Sequence, residues 1–433
     1  MSSKAYRATP VNDVNWQERA RGKESLGVAL GVDVGKFELS VVCRWDDRRF
    51  ERPWRVKNPG EIPALVALVT QINAERKTVV ALEPSGTYGD ALRQALADKE
   101  IPVQRVSGKA AHDYAEVFDG VPSQHDGKDA AVVAELAALG KAKAWAYEPA
   151  DPWEQELTYW VEDMVAQRQM LTIWQGRLEG LLARHWPEAS QVLKLSSGTL
   201  LRVLKHYGCP QALAADSDAA KRLTGWGGSL LSPEKAKALL AAARSSVGVR
   251  TGPWQQRQIQ EYAEKALAAR QQSRRAERHL RRLAQGHAVL EAQGKVVGVP
   301  TACVFWVSTG DPRDFDAAAA YRKAMGLNLV ERSSGIHQGK LHISKRGSAR
   351  TRQWLYFAAL RQVQKCGVRP WYEAKKARDP GDARRAVVAV MRKLAVALYH
   401  VGVKGEEFRP QRLFGRVRKR RGRKAQAVVA GKE

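Results

Sequence analysis

Asp33 interrupts an otherwise apolar run, LGVALGVDVGK, at residues 26–36. Val28, Leu30, Val32 and Val34 alternate with Ala29, Gly31, Asp33 and Gly35, the period of a strand with one bulky and one small face. An acid in such a strand is costly to bury unless it is paired or bound to a cation. Glu83 closes a second apolar run, TVVALEPSG. Asp126 and Asp129 stand three residues apart in SQHDGKDAAVVAEL, on one face of an alanine-rich helix. Alone, that pair suits a first helical turn favoured by the helix dipole. Four carboxylates gathered together would repel one another, and divalent cations resolve the repulsion. Oxygen-only donors suit Mg2+ or Mn2+, and two such ions can stabilise the attacking and leaving oxygens on a phosphorus.

The composition points to a phosphate-rich partner. The 433 residues carry 72 Lys and Arg against 45 Asp and Glu, a net charge of +27, which predicts a polyanion as ligand. Charge does not distinguish an enzyme from a binding protein. At roughly 150 residues per domain the length suggests about three domains. The sequence shows no apolar run expected to span a bilayer and no apolar signal core at its start, so no membrane partner and a cytoplasmic location are expected. Cys43, Cys209, Cys303 and Cys366 lack CxxC spacing and predict buried, reduced thiols.

The elements that must position the acids are legible as patterns. From Leu26 to about Ala146, three early strands precede alternating helices and strands, with helices near 62–74 and 88–98, predicting a mixed α/β sheet covered on both faces. Leu157, Met164, Leu171, Leu178 and His185 then recur every seven residues, with Trp160, Gln167, Trp174 and Leu181 between them. A second seam runs from Ile259 through Ala266, Ser273 and Leu280 to His287 and Leu290. The two arms could pair within one chain or between chains. Residues 190–252 read as a small helical insertion. From Gly294 a third region follows, with a GVP turn that could offer backbone N–H groups to a phosphate, a basic loop, and a helix from about Ala349. The final residues, from RPQRLF onward, read as a basic tail without apolar period. A rival reading of GVDVGK, the phosphate turn of actin-like ATPases, needs a second strand-Asp-Gly repeat. LTGWGG supplies a Gly pair, but no such repeat occurs.

GVDVGK, ALEPSGTYG, the D-x-x-D-A of HDGKDA and, far downstream, S-G followed by HISKRG together resemble the IS-one-ten insertion-sequence transposases, over roughly residues 27 to 365. The resemblance implies an α/β plus α fold. An N-terminal extension (1–26) would precede an RNase H-like (RuvC-like) mixed-sheet domain (27–150) with the acidic tetrad Asp33, Glu83, Asp126 and Asp129. A coiled-coil, helical dimerisation region (151–292), a mainly helical transposase domain (293–403) and a basic tail (404–433) would follow. It implies a nucleophilic serine, Ser334 in RSSG, with Ser333 as the alternative and Tyr88 of SGTYG as a competing nucleophile. Arg332, Lys340, Lys345, Arg346, Arg350 and Arg352 would hold nucleic acid. Where the family usually carries Lys-Thr before the acid pair, this chain has Gln124-His125, and Lys128 is the nearby cation. The implied reaction is strand exchange through a phosphoserine with Mg2+ (or Mn2+) on the tetrad. The implied partners are the element's DNA ends and target, a structured guide (bridge) RNA, and further copies in a homodimer that assembles to a tetramer. Two other functions fit the same residues: a RuvC-like metal-dependent nuclease without a covalent intermediate, and a non-enzymatic nucleic-acid-binding protein.

Overall fold

In the computed structural model, which describes residues 8–119, 125–149, 151–331, 341–365, 367–378 and 383–415, the alternating apolar runs become one seven-stranded sheet. The chain divides into two units, Met1–Ala150 and Asp151–Glu433. In the first, the strands are β1 (Thr9–Pro10), β2 (Val28–Val34), β3 (Glu38–Trp45), β4 (Trp54–Lys57), β5 (Thr78–Leu82), β6 (Val103–Arg105) and β7 (Lys143–Ala144), ordered β1-β4-β3-β2-β5-β6-β7. β2, β3 and β4 form an antiparallel meander, while β5 and β6 continue parallel to β2. The mixed sheet is the one the sequence predicts. Helices α1 (Trp16–Ala20), α2 (Ile62–Glu75), α3 (Asp90–Ala97), α4 (Gly108–Asp119) and α5 (Asp126–Ala138) complete the unit.

The two faces of β2 are used differently. Val28, Leu30, Val32 and Val34 enter a core with Leu65, Val69 and Ile72 of α2, whose apolar residues recur at helical spacing. Pro63 sits in the first turn of α2, where a missing N–H costs nothing. The segment before Leu26 is part of this unit and not an appendage. β1 pairs with β4, and Trp16 stacks on Trp45 at 5.4 Å between centroids while its Nε1 donates to Glu75 at 2.9 Å.

Among the described residues, the second unit is helical apart from the short ribbon of β8 (Leu329–Val330) and β9 (His342–Ile343). The heptad segments form α6 (Pro152–His185) and, after the insertion helices α7 (Ala189–Val192), α8 (Gly198–Tyr207), α9 (Pro210–Ala215), α10 (Ala219–Gly227) and α11 (Pro233–Arg244), the partner helix α12 (Pro253–Leu283). The long pair is antiparallel within one chain: Trp153 Nε1 donates to Leu283 O at 3.0 Å, and Arg168 pairs with Glu277 at 2.6 Å. The buried positions of α6 are Leu157, Val161, Met164, Val165, Leu178, Leu182 and His185. Val161, Val165 and Leu182 thus take the inward places expected for Trp160 and Leu181. Ala266, Ala269, Ser273 and Ala276 of the expected seam are buried on α12, with Ala263 in the inward place expected for Tyr262. The second seam stops at Leu283, because His287 caps the next helix, α13 (Ala288–Val297), with Nδ1 accepting from the Leu290 N–H.

LTGWGG lies in and just after α10, and the described residues contain no second sheet of the kind an actin-like ATPase needs. The remaining helices are α14 (Val299–Thr309), α15 (Ala318–Ala324), α16 (Ala349–Val363), α17 (Arg369–Arg378), α18 (Ala383–Lys404) and α19 (Pro410–Phe414). Contrary to the sequence expectation, α18 has the length and apolar composition to cross a membrane. More than half of its apolar window is buried (56%), and it packs as the central core helix of this unit. Residues 410–414 also depart from the expected tail, since they form α19 and bury Phe414 against Trp371. Cys43, Cys209 and Cys303 are buried and free, while Cys366 lies outside the described residues.

Candidate active site

The register of two parallel strands begins the site. Val32 of β2 lies opposite Leu82 of β5, and the Glu83 N–H reaches Val32 O at 3.4 Å. The next pair outward is Asp33 and Glu83, so these carboxylates stand on adjoining strand ends and, by alternation, on one face of the sheet. The residues behind them on that face are Ala29, Gly31 and Ala81.

That small face is where α5 lies. A Cβ added at Gly31 would fall 2.1 Å from Ala130 O and 2.4 Å from Ala134 N. A glycine inside a strand marks a close backbone approach of this kind, and it lets α5 rest directly on β2. The helix is held at both ends. His125 takes the N-cap with extended backbone, its Nδ1 accepting from the Lys128 N–H at 3.1 Å. Toward the other end, Glu135 forms a nearly buried ion pair with Arg44 of β3. With Ala130 and Ala134 fixed over Gly31, the first turn of α5 brings Asp126 and Asp129 toward Asp33.

Two further contacts shape the surroundings. A Cβ added at Gly108, the first residue of α4, would lie 2.6 Å from Glu83 Oε1. Asn58 Nδ2 donates to Gly35 O at 3.0 Å and to Tyr88 O at 3.1 Å, tying the turn after Asp33 to the loop after Glu83. Tyr88 is exposed and held through its backbone. The sequence analysis gave no role to Gly31, Gly108 or Asn58. A glycine within a strand was the one available signal.

The carboxylates feel one another. Burial first, and then the charges of Asp126, Asp129 and Glu83, push the Asp33 carboxyl up to about 6. Burial and then Asp126 raise Asp129, with His125 and Lys128 opposing, and burial followed by Asp129 raises Glu83. Lys128, expected to supply the cation, is buried beside the pair. Asp126 is exposed. Among the described residues no three acid, imidazole or thiol groups stand close enough to share one ion. The four acids therefore form a common electrostatic neighbourhood without a closed ligand shell. By donor type and by mutual repulsion they suit a hard divalent cation.

Ser333, Ser334, Arg332 and Lys340 lie outside the described residues. Lys345 and Arg346 are exposed in the segment before α16. Arg350 forms an ion pair with Glu162 of α6, and Arg352 donates to Gly347 O at 2.9 Å, so both also have a structural task. The GVP turn does not present the open phosphate cradle expected of it. Pro300, Thr301 and Ala302 are buried, and Arg361 already approaches Val297 O and Thr301 Oγ1, each at 3.4 Å.

Among solved structures, the chain is similar to Thermus thermophilus RuvC, one structure described as RuvC in complex with a Holliday junction substrate and the other as RuvC itself. Identity is 17% in both, with TM-scores of 0.22 and 0.21, covering 27% of this chain and 99% of each RuvC chain. No curated protein matches. Two family models do. A DEDD transposase model of IS110 elements, described as "Transposase", matches residues 30–187, a span that holds Asp33, Glu83, Asp126 and Asp129. The model described as "Transposase IS116/IS110/IS902 family" matches residues 292–375, a span that holds Ser333, Ser334 and the basic loop. The two matches fall in the order expected from the sequence motifs and together cover more than half of the chain, which belongs to the IS110 family of transposases.

Proposed function

We propose that this protein cuts and exchanges DNA strands through a covalent phosphoserine intermediate, with Asp33, Glu83, Asp126 and Asp129 as the carboxylates that hold Mg2+ or Mn2+. The observation that carries the reading is the convergence of four acids from β2, the end of β5 and the first turn of α5, where burial first and then the neighbouring charges push the Asp33 carboxyl up to about 6. Ser334 is the nucleophile, with Ser333 its neighbour and alternative. A bound divalent cation would neutralise charge on the reacting phosphate.

The chemistry explains why a serine accompanies an acidic site. Water as nucleophile would hydrolyse the strand and discard the phosphodiester. When the serine Oγ attacks, an O–P bond forms to the protein as the bond to a sugar oxygen breaks, and that oxygen leaves as a hydroxyl. A second strand's hydroxyl then attacks the phosphoserine and releases the serine. One ester is exchanged for another, and no ATP is needed. Lys345, Arg346 and their neighbours in the basic loop contact phosphates. Target choice falls to a structured guide RNA by base pairing, which is consistent with a sequence rich in phosphate-binding cations and poor in base-reading motifs. We place the domains at 27–150, 151–292 and 293–403, the assembly as a dimer that forms a tetramer, and the protein in the bacterial cytoplasm at the nucleoid.

The test incubates the protein with its element-end DNA, co-expressed RNA and Mg2+, and looks for a protease-sensitive DNA adduct. The reading expects an adduct lost in Ser334→Ala, retained in Ser333→Ala and strongly reduced in Asp33→Asn. Cleaved DNA with free ends and no adduct would move the protein to the nuclease reading. Binding unaffected by EDTA, without cleavage, would leave only nucleic-acid binding.

A further inference from the structure

The helical insertion carries a cavity of about 290 Å³, away from the four acids in sequence and formed wholly within the second unit. Three guanidinium groups line it: Arg202 from α8, and Arg270 and Arg274 one turn apart on α12. Two other cations on the same helices are neutralised by acids. Lys205 pairs with Glu264 at 2.6 Å, and Arg282 with Glu156 at 3.0 Å. Among the described residues none of the three cavity arginines has a carboxylate partner. Their existing bonds go to backbone oxygens, Arg202 to Trp226 O at 2.7 Å and Arg270 to Ser196 O. A guanidinium has five N–H donors, so most remain available. Burial, and then the charges of Arg274 and Arg202, hold Arg270 below its ordinary value. Like charges gathered without an acid suit an anionic guest.

The rest of the wall says what kind of anion. The ten-residue α8 starts at the cavity, and its partly positive end adds to the arginines. Beside them stand the half-buried indole of Trp226 and the fully projecting Leu230, which is 94% exposed. A bare inorganic anion gains nothing from an apolar wall. A nucleic-acid strand offers both parts, phosphate for the arginines and a base or sugar for the indole and leucine.

We propose that this cavity is a second nucleic-acid site, in which Arg202, Arg270 and Arg274 hold a phosphodiester of a single strand while Trp226 and Leu230 receive the adjoining base or sugar. The inference concerns binding alone and does not depend on the serine or the metal.

The test measures anisotropy of labelled twenty-nucleotide single strands, RNA and DNA of one sequence, with the full chain in EDTA. Arg202→Glu/Arg274→Glu is compared with Lys221→Glu/Lys237→Glu, a charge-matched pair of exposed residues of the insertion that do not line the cavity. The cavity variant is expected to weaken binding about tenfold more than the control, in line with loss of charge-assisted phosphate contacts. The strand type that shows the larger difference identifies the guest. Arg274→Gln, which removes a side chain without a hydrogen bond among the described residues, should show a smaller loss in the same direction, with unchanged urea unfolding. Equal weakening by both double variants would reduce the cavity to bulk charge and overturn the proposal, as would displacement of either strand by millimolar inorganic phosphate alone. Loss of the covalent adduct in the serine experiment would leave this difference untouched.

Discussion

Gly31→Ala tests whether the contact between β2 and α5 sets the acid geometry. The added methyl would sit 2.1 Å from Ala130 O, 2.4 Å from Ala134 N and 2.9 Å from Ala134 Cα. Ordinary contacts lie near 3.5–4.0 Å, and all three obstacles are backbone, so no side chain can rotate away. α5 must withdraw by on the order of 1 Å. Overpacking of this kind costs about 1–3 kcal/mol, while a displacement of about 1 Å in a reacting constellation costs on the order of 100-fold in rate. The expected result is therefore a folded protein, modestly destabilised to urea, with the single-turnover rate of DNA adduct formation down about 100-fold. Leu30→Ala is the matched control, since it lies on the opposite face of the same strand in the α2 core. It should cost about 2–5 kcal/mol of stability with far less effect on rate. The reasoning is refuted if Gly31→Ala reacts within about twofold of the unaltered protein, or if both variants lose activity in proportion to stability.

Three further outcomes are expected. Because Asp33 is raised to about 6 by burial and by its acidic neighbours, the folded chain holds a proton that the unfolded chain has released between about pH 4 and 6. The stability from this group is therefore complete below that window and lost as pH rises through about 6. In EDTA the difference in urea midpoint between the native chain and Asp33→Asn should shift against the native chain across that window, and millimolar Mg2+ should reverse the shift at pH 7. Glu135→Ala strands the buried Arg44 guanidinium and should destabilise by about 3–5 kcal/mol, with Arg44→Met/Glu135→Leu recovering most of it in urea titrations. Gly180→Ala, on an exposed face near the C-terminal end of α6 with open space where the new Cβ would lie, should stabilise by about 0.5–1 kcal/mol; a loss of stability would mean that this face of the helix is covered.

The strands around the site were legible because their residues repeat at period two and end in Gly, Pro or Asp. Val28 to Val34 shows both faces of β2 in seven letters, and the four acids could be picked out from that pattern and its resemblance. Other elements left weaker marks. α4 begins at a glycine and follows a short strand, and its start is marked by one residue alone, Ser107, whose Oγ accepts from the Ala110 N–H at 3.2 Å. β1 is two residues long and owes its place to pairing with β4 and to the stacking of Trp16 nearby, interactions spanning 29 to 45 residues that no local pattern encodes. The heptads gave the long helices, but a repeat of seven fixes only one stripe. Which residues join it, Val161 and Val165 or Trp160, depends on a partner helix about a hundred residues away.

The same limit separates the two halves of the candidate site. Asp33 and Glu83 follow from strand register, because once β2 and β5 are parallel with Val32 opposite Leu82 the next residues must be neighbours. Asp126 and Asp129 follow only if a helix can lie against β2, and that permission is written in a single residue with no side chain. An acid in a strand thus announces chemistry, but a glycine two residues before it decides where the other acids stand. The requirement at Gly31 is steric and the requirement at Asp33 is electrostatic. Failure at either position should therefore look different: Gly31→Ala keeps the carboxylate repulsion and its pH signature near 6 while weakening α5, whereas Asp33→Asn removes that signature and leaves α5 in place.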